Sequence, residues 1–139
     1  MDAIATLLAA ALLAPNARPV PVLIPEGLGA LSIEPARVAT LAPLRPDEIR
    51  RILTLPVRRY LGPIGRRRAG LSFRGTGKVV DGNCDPAACE GRYAIAGNAV
   101  SIDWRGRRGA ITVHFYMAAN GVVYEATEED LRSGIAISW

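Results

Sequence analysis

The chain has 139 residues, 50% hydrophobic and 22% charged, with a formal net charge of +4. That length and balance describe one globular domain and exclude a disordered or low-complexity chain. One histidine and two cysteines exclude a zinc site of four Cys and His ligands.

The basic excess is arginine, since Lys78 is the sole lysine among 17 basic residues. It has two readings. One is GC-rich coding with ordinary solvated charge. The other is an anion-facing surface, because a guanidinium holds phosphate or carboxylate bidentately.

Residues 3–14 read AIATLLAAALLA. As a helix they span roughly 18 Å, short of the hydrocarbon core of about 30 Å. The length suits the apolar region of a signal peptide, and Pro15 followed by Asn16-Ala17 suits a cleavage point before Arg18. The segment departs from the usual pattern in carrying Asp2 and no basic residue before the apolar run. A signal peptide over 1–17 and a periplasmic or secreted product are expected. A buried N-terminal helix is the alternative, and lacking a polar face it would need cover all round.

Residues 18–70 form a Pro- and Arg-rich part. Arg18–Pro25 is extended by its prolines, with Val20, Val22 and Ile24 alternating as in an edge strand. Leu28–Ile33 is a second candidate strand. Asp47–Leu55 predicts a helix: Pro46 suits its first turn, Asp47 and Glu48 its positive end, and Pro56 its stop. Ile49, Ile52 and Leu53 share one face, and Arg50 and Arg51 fall off it. Nine arginines lie between Arg45 and Arg74, among them Arg58, Arg59, Arg66, Arg67 and Arg68.

From Leu71 the apolar period becomes two. Leu71–Arg74, Lys78–Val80, Tyr93–Ile95, Val100–Trp104, Ile111–Met117 and Val122–Tyr124 read as strands. Gly97-Asn98 and Asn120-Gly121 are turn dipeptides. Thr127–Asp130 resembles a capping box opening a short helix that Gly134 closes, and Ile135–Trp139 is a last strand. Residues 71–139 are the antiparallel part, and 18–139 one domain. The fold expected is mainly β, a small antiparallel barrel or sandwich with one or two short helices.

Residues 71–124 resemble small bacterial lipocalin-like domains. The likeness rests on Leu71-Ser72-Phe73, on Gly91–Ile102 with its Gly-x-Tyr-x-Ile hairpin and Gly-Asn turn, and on Ile111–Met117. It covers less than half the chain. It implies architecture only, since such domains bind varied ligands or none and share no catalytic motif that transfers to these positions.

Cys84 and Cys89 stand at C-x4-C spacing beside Pro86. In an exported chain this favours a disulfide over free thiols, and redox work would want C-x-x-C. Asp81, Asn83 and Asp85 have calcium-loop spacing, but Pro86 replaces the turn glycine and Arg92 the bidentate acid, so no metal site is expected. His114 lies among Thr112 and Tyr116 with no nucleophile or orienting acid close in sequence. Trp104 and Trp139 read as core or rim aromatics. Arg132-x-Gly134-x-x-Ile137-x-Trp139 also resembles the terminal signal of outer-membrane barrels, but the predicted strands are too few and short for spanning staves. No nucleotide-binding or hydrolase signature occurs.

The expected function is that of an exported, non-enzymatic binding or envelope-accessory domain without a cofactor, not integral to a membrane. Its partner would be an envelope polyanion or a small ligand. The anion contacts would come from Arg58, Arg59, Arg66, Arg67 and Arg68, with Arg105, Arg107 and Arg108. One alternative is a small envelope hydrolase using His114. The other is a basic nucleic-acid binder, if the chain stays in the cytosol; export and the scarcity of aromatics between Arg45 and Arg74 disfavour it.

Overall fold

Apolar alternation from Leu71 onward builds most of the fold. The computed structural model of the chain describes residues 18–23, 34–55, 71–81, 90–104 and 110–139. Two short strands and a helix come first: β1 (Ala36–Arg37), β2 (Ala42–Pro43) and α1 (Pro46–Leu53). Then follow β3 (Leu71–Phe73), β4 (Lys78–Asp81), β5 (Glu90–Ala96), β6 (Ala99–Trp104), β7 (Ala110–Met117) and β8 (Val123–Thr127). Helix α2 (Glu128–Ser133) and β9 (Ile135–Ser138) complete the chain.

The strands form one sheet in the order β1-β9-β8-β7-β6-β5-β4-β3, with β2 added beside β7. From β3 to β9 every strand pairs antiparallel with its neighbour in sequence. The sheet is not closed: β1 and β3 stand at its two ends. Strand β2 continues the ladder where β6 stops. Asn98 accepts the Phe115 N–H at 2.8 Å, and Ala42 and Pro43 then pair with Met117 and Tyr116.

Cross-strand register sets the main core. Val79, Gly91 and Trp104 lie opposite one another, as do Tyr93, Ile102 and Ile111, and then Ile95, Val100 and Val113. Opposed residues share a face of the sheet. Helix α1 covers this face with Ile49, Ile52 and Leu53, all buried. Trp139 is also buried, its ring edge-on to Phe115 with centroids 5.1 Å apart. Both tryptophans are therefore core residues. On the opposite face Tyr124, Ala126 and Ala136 are buried under Val38, Leu41 and Leu131.

Local chemistry fixes the helices. In α1 the Glu48 carboxylate accepts the Arg45 N–H at 2.9 Å, Pro46 opens the first turn, and the Thr54 hydroxyl donates to the Arg50 carbonyl at 2.7 Å. The helix thus ends at Leu53, two residues before the end expected from Pro56. In α2 Thr127 and Asp130 form the expected reciprocal cap, and Gly134 closes the helix.

Residues 18–23 form a strap across the β7–β8 turn. Val22 donates to the Gly121 carbonyl at 2.7 Å and bridges Val122 in parallel. Gly121 has φ +89°, and a side chain there would stand 2.6 Å from the Val20 carbonyl oxygen. Of the expected edge strand over 18–25, the described residues 18–23 contribute this one bridge, and the candidate strand 28–33 lies outside the described residues. The strap's other anchor is Arg18, whose guanidinium donates to both Glu48 oxygens and to the Pro43 carbonyl.

Candidate anion-binding groove

A groove of about 540 Å³ opens between the end of α1 and the β3–β4 turn. Arg50, Arg51 and Thr54 line it from the helix, and Gly75, Thr76 and Gly77 from the turn. Tyr93 and Ile95 of β5 lie between. The helical period explains the first group: Ile49, Ile52 and Leu53 face the core, so Arg50 and Arg51 are turned outward to the rim.

The turn is held by its own backbone. Arg74 donates to the Lys78 carbonyl at 2.8 Å, and Gly77 to the Arg74 carbonyl at 3.0 Å. The Gly77 carbonyl accepts the Tyr93 N–H at 2.8 Å, which ties the turn to β5. Tyr93 is fixed at both ends. Its hydroxyl donates to the Arg74 carbonyl, and its ring meets Phe73 edge-to-face at 5.2 Å. Burial pushes the Tyr93 pKa up, and the charge of Arg50 works against that shift.

The groove is electropositive. Among the described residues, neither Arg50 nor Arg51 is in an ion pair or a side-chain hydrogen bond, and no acid lines the space. The carbonyl end of α1 faces this side with about half a negative charge. Two guanidinium charges outweigh it. The walls therefore offer two forked donors, the Thr76 hydroxyl and an apolar surface from Tyr93 and Ile95. That combination has the chemistry to receive an anionic group beside an apolar one.

His114 lies elsewhere. On the face of the sheet away from α1, its Nε2 is 2.9 Å from a Glu128 oxygen, with the histidine side chain 20% exposed. Glu128 opens α2, which the sequence alone does not bring to this strand. The nearby hydroxyls of Ser101 and Thr112 bond each other at 3.1 Å. No described hydroxyl or thiol is hydrogen-bonded to the imidazole. Among the described residues, no group of three or more His, Cys, Asp and Glu is placed to hold a metal, and no helix is long and apolar enough to cross a membrane.

The other expected sites are not placed. Arg58, Arg59, Arg66, Arg67, Arg68, Arg105, Arg107 and Arg108, the pair Cys84 and Cys89, and the segment 1–17 lie outside the described residues. The groove itself draws on residues that sequence reasoning did not single out as a site. Arg50 and Arg51 read there as the polar side of a helix within the basic segment Arg45–Arg74, without being named among the anion contacts. The available signal was the Gly75-Thr76-Gly77 turn next to Arg74, but nothing in the sequence sets it across from α1.

Comparison with protein-family models, curated proteins and solved structures finds no match to this chain.

Proposed function

We propose that the chain is an exported, non-enzymatic β-domain that binds an anionic ligand in the groove between α1 and the β3–β4 turn. The observation that carries this reading is the pair of guanidinium groups of Arg50 and Arg51, unpaired among the described residues, in a groove whose described lining holds no acid. The resemblance of residues 71–124 to lipocalin-like domains bears on architecture only and does not choose a ligand.

The hydrolase alternative draws on His114 and Glu128, which supply a base and an acid partner. With no nucleophile bonded to the ring among the described residues, the binding reading is preferred. The test is retention of the full chain on an immobilised anionic polymer such as heparin, eluted with rising salt. Phosphate-type contacts release counterions, so retention should weaken steeply with salt. The double variant Arg50→Gln, Arg51→Gln should elute at clearly lower salt while keeping its β-type circular dichroism. Equal elution of the two proteins overturns the reading.

A further inference from the structure

We infer that the groove takes a phosphate monoester carried on a flat or apolar ring, rather than a stretch of anionic polymer. The inference rests on the anion-binding reading and narrows its ligand. The size is the first reason. About 540 Å³ suits one small organic molecule, in the range where binding pockets cluster. A polymer would need a track of charges beyond such a space.

The second reason is the donor set. Each guanidinium presents parallel N–H groups to one anionic group, and the planar fork suits bidentate contact. A carboxylate has two oxygens, which one arginine satisfies. A phosphate monoester has three terminal oxygens and close to two negative charges at neutral pH, enough for both Arg50 and Arg51. The Thr76 hydroxyl, which makes no side-chain hydrogen bond among the described residues, is a further donor on the opposite wall. The Thr54 hydroxyl spends its proton on the Arg50 carbonyl and can only accept.

The third reason is the wall between them. Tyr93 is immobilised by its hydrogen bond to Arg74 and by Phe73, so its ring is a fixed surface that loses little entropy on binding. Ile95 extends that surface along the same face of β5. A bare phosphate would leave it wet. A ring attached to the phosphate would cover it.

Calorimetric titration of the full chain with phenyl phosphate, inorganic phosphate and benzoate separates these features. Phenyl phosphate is expected to bind at least about tenfold tighter than inorganic phosphate, from the apolar area that its ring buries. It should also bind at least about tenfold tighter than benzoate, because the second arginine adds charge-assisted hydrogen bonds. Arg50→Gln and Arg51→Gln should each weaken phenyl phosphate about tenfold, and Thr76→Val should weaken it less. Both arginines are exposed, so the variants should fold, and a matched thermal melt checks this. A second arm uses vesicles containing phosphatidic acid. Vesicle binding displaced by phenyl phosphate assigns the phosphate to a lipid headgroup and overturns the ring as its carrier, and vesicles left unbound while phenyl phosphate binds assign it to a soluble molecule. Equal affinity for the three small anions, or phenyl phosphate binding unchanged in both arginine variants, overturns the inference. Heparin retention that depends on Arg50 and Arg51 without phenyl phosphate binding overturns it and leaves the broader anion-binding reading standing.

Discussion

Gly91 and Trp104 face each other across the β5–β6 ladder, and the indole fills the space that a side chain on Gly91 would need. A Cβ at that position would lie 3.0 Å from Trp104 Cε3, 2.9 Å from the Asp103 carbonyl oxygen and 3.3 Å from Val79 Cγ1. Trp104 and Val79 are buried core residues, and the carbonyl is backbone, so none of the three yields easily. Gly91→Ala should cost about 1–3 kcal/mol, the usual range for overpacking. A denaturant titration of the variant should show a lower midpoint with an unchanged slope, and an unchanged midpoint would show that the indole moves aside freely.

The Arg18–Glu48 pair predicts an acid sensitivity. The hydrogen bond from Arg18 is the largest influence on Glu48, followed by burial, which opposes it, and then by the Arg45 N–H; together they hold the Glu48 pKa below its ordinary value. A depressed carboxylate pKa stabilises the fold above the unfolded value, near 4, and that contribution is lost as pH falls through the folded value. Glu48→Gln should cost roughly 1.5–3 kcal/mol at neutral pH, the worth of charged hydrogen bonds. The difference between wild type and variant should shrink as pH drops below about 4. Parallel urea titrations at neutral and acid pH measure this, and a gap that stays constant with pH would remove Glu48 from the account.

Cys84 and Cys89 are expected to be bonded to each other, as a staple without redox work. Their loop leaves β4 at Asp81 and enters β5 at Glu90, and Val80 pairs directly with Glu90, so the sheet already holds the loop ends together. A bond closing so short a loop should add on the order of 2 kcal/mol. Replacing both cysteines with serine should lower the melting temperature and leave the β spectrum intact. Two titratable thiols in the unreduced mature protein would count against the staple.

Export with cleavage after Ala17 is expected from the short apolar run and Pro15. The new terminus would be Arg18, whose side chain is anchored on Glu48, so processing would leave the strap's contact in place. A fusion of residues 1–25 to a reporter active only outside the cytoplasm should be active and processed. An inactive, uncleaved fusion sinks the compartment argument.

Local patterns in the sequence were enough to read the hairpins from Leu71 onward, the Thr127–Asp130 cap and the apolar face of α1, because each depends on residues a few positions apart. Strand β8 runs on past Tyr124 to Thr127, beyond its expected end. Glu125 looks like the close of an apolar strand, yet it is 2% exposed. Cover on both faces of β8 removes the alternation that would have marked it. β1 and β2 are two residues each and owe their strand geometry to partners far along the chain. The groove was illegible for the same reason, since Arg50 and Thr76 meet only after α1 has docked on the sheet.

The order of the sheet also sets how the protein assembles and comes apart. From β3 to β9 each ladder joins neighbours in sequence, so those hairpins close short loops and can zip up one after another. The strap, β1 and β2 instead join segments separated by some seventy to a hundred residues, as in Ala36 with Ala136 or Val22 with Val122. Among the described residues those contacts hold few backbone hydrogen bonds, and their long loops should make them form late. In native-state hydrogen exchange, the amides of Val22 and Leu44 should open well before those at the centre of β6 and β7. The strap and β2 would then open while α1 and the meander keep the main core.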